Sequence, residues 1–389
     1  MLAPVTAGSL ESLAEVLAQI GTDPGGNAYV CLPDSPLTHF ARWNLVTDDD
    51  HGTRLLFSAG YDGPLDAYLA QLASISPGLD ELYGHCEGYE GRASFPAFVQ
   101  RFQCQARGVY LAFPDDTVAD LRGYVETRQE IQRFLDLPDV ARYLREPGVG
   151  PLLDRIAAVP DERSGRSLRR LKETTVPKVQ KAYRTAFIPF AKGFAGFGQA
   201  KSFPKVSPAA RLGEPAPDPT VALAAPVSNA AGLHNGLTVL LDVADHRHAR
   251  LQAALVLSNA LTKHGYGEGE FADIGTIHWF AWAVVDDGKR LLFASVYDGS
   301  WLQYVQDFVD KLQWGLDAIF GNAAGYPEAG MKDVAAFSAF MGSHLVPIRA
   351  MYCAYPDATV LNLIRDRKIS HALAGALDRA ALDDWLRLL

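Results

Sequence analysis

One nonapeptide is written twice in this chain, as LLFSAGYDG over 55–63 and as LLFASVYDG over 291–299. Each copy leads into an amphipathic run and then into GLDELYGHCEGY (78–89) or GLDAIFGNAAGY (315–326). The blocks superpose Asp62 on Asp298, Gly78 on Gly315 and Tyr89 on Tyr326. Repetition over so long a block marks a duplicated domain rather than a short solenoid repeat. The 389 residues leave room for two such domains, each with its own core, and for further chain between them.

The periodicities of the two copies agree. In the first, over 1–135, LAPVTA (2–7) reads as a weak strand, and Ser9 can cap a helix that carries Leu10, Leu13, Leu17 and Ile20 on one face. HFARWNLV (39–46) and LLFSAGY (55–61) form a hairpin, a helix follows Asp62–Gly63, and GVYLAFPD (108–115) closes the unit. In the second, over 236–389, LTVLLDV (237–243) is a strand and Asp245 caps the next helix. IHWFAWAVVDD (277–287) and KRLLFASVY (289–297) form the hairpin, and RAMYCAYPD (349–357) is the last strand. His39 aligns with His278, Trp43 with Trp282 and Tyr110 with Tyr352. The order β-α-β-β-α-β is that of the ferredoxin-like split motif, whose sheet leaves one face for a partner to cover. The expected class is α+β: two ferredoxin-like repeats packed sheet to sheet as an intramolecular pseudo-dimeric barrel.

Those repeats resemble the dimeric α+β barrel superfamily, which includes dye-decolorising peroxidases, chlorite dismutases and small cofactor-independent monooxygenases. More narrowly, HFARW, YDGPLDAYL, GHCEGY and YDGSW resemble a group of uncharacterised duplicated bacterial proteins. The resemblance implies an oxidoreductase, haem-dependent and peroxidase-like, acting on an apolar small molecule in a cavity between the repeats. Dye-decolorising peroxidases carry a GxxDG motif whose Asp assists peroxide cleavage. Here Gly60-Tyr61-Asp62-Gly63 is one residue short, and Val296 replaces Gly60 in the second copy.

Between the copies the composition changes. From 163 to 205 there are eleven Lys or Arg against Glu173 alone, so this segment carries +10 while the whole chain carries −9. The overall charge argues against general nucleic-acid binding, and no recognition motif is present. Within the segment, Phe187, Phe190, Phe194 and Phe197 share one helical face beside Lys192. A basic stretch with an aromatic face suits an anionic membrane surface. A Phe stripe at helical spacing more often packs on the protein's own core, and Pro189 and the nearby glycines interrupt a continuous helix. The basic helical insert is read over 136–205 and a Pro/Ala-rich linker over 206–235. Cys31, Cys86, Cys104 and Cys353 show no metal-like spacing and read as reduced thiols. With neither a signal peptide nor an apolar run of membrane-spanning length, the expected location is cytoplasmic, with a peripheral membrane role open.

No P-loop, GxSxG or HExxH motif is present. Candidate residues come instead from the differences between the copies. Strand alternation places Arg42 and Asn44 toward the partner repeat, where the second copy has Ala281 and Ala283. With Asp62 as acid or base, these form the candidate catalytic set. The competing readings are a helix cap for Asp62 and a rim ion pair for Arg42. His85, opposite Asn322, and His344, opposite Phe102, are the candidate axial ligands of a haem, against ordinary satisfied histidines. His39 and His278, present in both copies, fit a structural role at a strand end. A non-catalytic lipid-binding protein that docks through the basic insert is the alternative function.

Overall fold

Alternating β-branched and aromatic residues build eight strands among the described residues of the computed structural model, which covers 1–135, 233–264, 271 and 274–373. The basic insert, most of the linker and the residues after 373 lie outside the described residues. The first copy runs β1 (Leu2–Pro4), α1 (Leu10–Thr22), β2 (Thr38–Asp48), β3 (Gly52–Tyr61), α2 (Leu65–Ile75), α3 (Leu79–Tyr83), α4 (Phe95–Arg101), β4 (Ala106–Leu111) and α5 (Val118–Leu135). The second runs β5 (His234–Asp242), α6 (His248–His264), β6 (Ile277–Val285), β7 (Arg290–Asp298) and α7 (Trp301–Asp307). It continues through a π-helical turn (Phe308–Leu312) into α8 (Gln313–Phe320), α9 (Val334–Ser343), β8 (Ile348–Cys353) and α10 (Val360–Leu373). Strand β5 begins at His234, inside the stretch read as linker.

The class is α+β, with two four-stranded antiparallel sheets, ordered β1-β3-β2-β8 and β4-β6-β7-β5. Each sheet holds three strands of one copy and the last strand of the other. Strand β8 pairs with β2, Phe40 opposite Cys353, and β4 pairs with β6, Tyr110 opposite Phe280. The sequence reading expected each copy to close its own sheet. Exchange instead fills the open edges of β2 and β6, which would otherwise present unpaired amides and carbonyls.

Strand β2 is buried over nine consecutive residues and β7 along its whole length, as happens when both faces are covered. One face of β2 meets its own helices: Trp43 packs on Phe57 at 5.1 Å and donates its indole N–H to the Tyr83 hydroxyl of α3. The other face meets the second sheet, where Val46 and Leu56 pack with Ala283, Val285 and Leu292. Where the hairpins turn, Arg54, Asp48, Arg290 and Asp286 close an alternating ring of charges. Its four contacts measure 3.0, 3.0, 2.8 and 2.6 Å, and every member is mostly buried. Burial pulls the Asp48 and Asp286 carboxyls up. Hydrogen bonds from Arg290 and His51 at Asp48, and from Arg54 at Asp286, outweigh it and hold both below the usual carboxylate range.

Candidate functional site

At the opposite end of the strands, each copy places a histidine on a carboxylate. His39 Nε2 donates to Asp62 Oδ1 at 2.8 Å, and His278 Nε2 to Asp298 Oδ1 at 2.8 Å. The second carboxylate oxygen accepts an amide in both cases: Val118 N at 2.8 Å for Asp62 and Val360 N at 2.7 Å for Asp298. Those amides are the first of α5 and α10, so each Asp anchors a helix N-terminus. The helix is not the one that follows it in sequence, as expected, but the one after the exchanged strand. The helix after Asp62, α2, starts at Pro64 with no side-chain cap, and α7 is capped by Ser300. The retained histidines do serve a strand end, through these carboxylates.

The copies then diverge. His39 Nδ1 accepts from the Tyr355 hydroxyl at 3.1 Å, a contact between residues 316 positions apart, so Tyr355, His39 and Asp62 form one hydrogen-bonded line. Phe113 is the sequence counterpart of Tyr355 and has no hydroxyl, and His278 Nδ1 has no partner among the described residues. In its place the second copy adds His234 from the start of β5, fully buried, with Nε2 at 3.0 Å from the Ala358 carbonyl and 3.5 Å from Asp298 Oδ1. Burial, and then the neighbouring His278, lower the His234 pKa to about 3, so this imidazole is neutral. The sequence reading missed His234. It has no counterpart in the first copy, where β1 spans only Leu2–Pro4, so comparing the copies gave no signal.

Arg42 points between the sheets, as alternation predicts. It is 2% exposed, donates from Nη1 to the carbonyls of Leu237 at 3.0 Å and Ser295 at 2.7 Å, and lies 4.9 Å over the Trp279 ring. Its Nε and Nη2 have no acceptor among the described residues. Burial pulls its pKa down to about 9, against a small opposing effect of Tyr304. Asn44 donates to the carbonyls of Val346 and Pro347 at 3.0 and 3.1 Å. Both residues therefore tie strands of one sheet to backbone of the other copy. The space around Arg42 is filled: a Cβ on Gly236 would meet Ile348 Cδ1 and lie 3.0 Å from Met351 Sδ and 3.5 Å from Arg42 Nη1.

His85 and His344 stand beside edge strands of different sheets. The His85 carbonyl accepts from Thr6 N next to β1, and the His344 carbonyl from Leu240 N on β5. His344 ends α9, donates from Nδ1 to the Phe340 carbonyl at 2.8 Å and lays its ring on Phe340 at 4.6 Å. His85 and His344 are not brought together at one site, the space beside Gly236 and Arg42 is filled by Ile348 and Met351, and no step is derived through a haem. Phe187, Phe190, Lys192, Phe194 and Phe197 lie outside the described residues. No helix among the described residues is long and apolar enough to cross a membrane.

A pocket opens instead on the helix-covered face of the second sheet. It lies between α6, the π-helical turn and α8, with Phe280, Trp282 and Phe293 as its floor and Phe308, Leu312 and Trp314 among its walls. Its interior offers about 60 Å³ to the centres of water-sized molecules, room for a slender ligand and not for a macrocycle. The one buried polar group on this floor is the Trp282 indole, 1% exposed, whose N–H has no acceptor among the described residues. In the first copy the aligned Trp43 gives its N–H to Tyr83 at 3.1 Å. The residue aligned with Tyr83 is Phe320, 5.3 Å from Trp282, which offers a ring face and no oxygen. Loss of one hydroxyl between the copies thus leaves a buried donor unpaired beside an apolar pocket. A π-helical turn at the rim is a distortion that often accompanies functional sites.

No protein-family model, no curated protein and no solved structure matches this chain.

Proposed function

We propose that the protein binds an apolar small molecule that carries one hydrogen-bond acceptor, in the pocket floored by Trp282. The unpaired indole N–H carries this reading. A buried donor without an acceptor costs about 1–3 kcal/mol, and a ligand oxygen set beside it recovers that cost. The apolar walls supply affinity for a chain or small ring, and the single donor supplies orientation. This keeps the apolar ligand class expected from the sequence and moves its place from between the repeats to beside one of them. Oxidoreductase chemistry on such a ligand gains no support from the geometry. Arg42 Nη1 and Asn44 Nδ2 are given to backbone carbonyls, and the Asp62 carboxylate to His39 and Val118.

Titration calorimetry with a medium-chain 2-alkanone and with the n-alkane of equal length tests the proposal. The alkanone should bind more tightly by about fivefold to tenfold, the value of one net hydrogen bond. That preference should vanish in Trp282→Phe while alkane binding persists. Absence of binding by both ligands, or a preference that survives Trp282→Phe, overturns the reading.

A further inference from the structure

We propose that His234, His278 and Asp298 form a closed site for a first-row divalent cation of the zinc and cobalt class. The three side chains come from the start of β5, the start of β6 and the end of β7, and all are buried, at 0%, 3% and 6% exposure. Their ligand atoms lie within 4.8 Å of one another. Both Nε2 atoms approach the same carboxylate oxygen, at 2.8 and 3.5 Å, and the Ala358 carbonyl sits 3.0 Å from the His234 Nε2. Two imidazole nitrogens, a carboxylate and a further oxygen make a donor set for borderline cations, which bind such ligands at about 2.0–2.2 Å. Ligands that surround one ion tetrahedrally at that distance lie about 3.4 Å apart, near the 2.8 and 3.5 Å contacts to Asp298 Oδ1, and the wider separations of up to 4.8 Å would close on binding.

The first copy isolates what the cation would explain. There the equivalent His–Asp pair, at the same 2.8 Å, anchors the equivalent helix, with no third histidine beside it among the described residues. The pair is accounted for by structure alone, and His234 is not. A fully buried imidazole is a costly way to fill space that a phenylalanine or leucine fills at less expense. A second observation concerns charge. The ion-pair contacts of Asp298 among the described residues are with His278 and His234 alone, with no Lys or Arg in reach. A carboxylate in that position is favoured by a cation, and the amide of Val360 on its other oxygen holds it in the orientation a ligand needs. On binding, each imidazole presents its Nε2 lone pair to the ion and carries its proton on Nδ1.

This site is separate from the Trp282 pocket, and its test is independent. The full chain, purified with a non-chelating tag, is incubated with Zn²⁺ or Co²⁺, passed over chelating resin and subjected to elemental analysis. One ion per chain should remain, and cobalt should give the visible ligand-field absorption of a low-coordinate nitrogen and oxygen site. His234→Leu should lose the ion, while His39→Phe, which alters the equivalent pair of the first copy, should keep it. Zn²⁺ should also raise the thermal midpoint of the wild-type chain and leave that of His234→Leu unchanged. Should His234→Leu fail to fold, Asp298→Asn replaces it with the same expectation. Failure of the wild-type chain to retain any ion, or full retention by the folded ligand variants, overturns the proposal.

Discussion

At the scale of single residues, Tyr83 and Phe320 show how one atom separates two otherwise matched environments. Both rings are fully buried against a tryptophan, and only Tyr83 answers the indole N–H. Phe320→Tyr should therefore place a hydroxyl on Trp282 as Tyr83 does on Trp43. We expect a gain of about 1 kcal/mol in urea denaturation and loss of the preference for an alkanone over an alkane in calorimetry. Arg42 illustrates a different economy. A guanidinium between two sheets, held by two carbonyls and an aromatic face, fixes the register of the sheets more than it stabilises them, because its desolvation offsets much of what its contacts return. Strand alternation made its direction legible in the sequence. What it would meet there was not legible, since the carbonyls of Leu237 and Ser295 belong to the other copy and leave no side-chain signature.

At the scale of elements, the unit that recurs is a strand end, a histidine, an aspartate and a helix N-terminus. The duplication itself and the strand and helix order were legible because hydrophobic periodicity and the repeated LLF–YDG block report on local structure. Strand partners were not: alternation says which face is apolar, and says nothing of which edge lies beside it. For the same reason Asp62 and Asp298 read as caps of the helices immediately after them, whereas they reach α5 and α10 across the exchanged strands. Asp62→Ala should expose the Val118 amide and cost about 1 kcal/mol, with hydrogen exchange faster at Val118 and unchanged at Val360. Asp298→Ala should cost more, about 2–3 kcal/mol, since both variants strip a histidine N–H of its acceptor but the His278 side chain is 1% exposed against 10% for His39. Equal losses for the two variants in chemical denaturation would contradict this ranking.

Across the whole molecule, the two ends of the inter-sheet contact differ in chemistry. One end is the ring of Arg54, Asp48, Arg290 and Asp286; the other is the histidine and tyrosine cluster, where α5 and α10 also join through the Arg128–Asp366 contact of 3.0 Å. The ring makes stability depend on pH in a defined direction. The carboxyls of Asp48 and Asp286 titrate lower in the folded chain than their ordinary 3.8, so the folded state releases their protons more readily. Their contribution is complete above that ordinary value and is lost as pH falls below it, through the lowered folded values. Thermal midpoints measured from pH 6 downward should therefore drop below about pH 4, and the drop should be shallower in Arg290→Leu, which starts less stable. A slope unchanged by Arg290→Leu would remove the ring as its source.

The exchanged strands also set an order of events for a chain made from its N-terminus. Strand β2 is complete long before its neighbour β8 exists, because Phe40 must wait for Cys353 to be synthesised. Over that interval β2 keeps a bare edge, His39 lacks Tyr355, and α5 lacks the helix it packs against. Pairing between such distant segments is slow to form and exposes sticky edges meanwhile. Until β8 and α10 are made, the first half keeps a strand edge and a helix face without their partners, and it is their synthesis that commits the molecule to its shape.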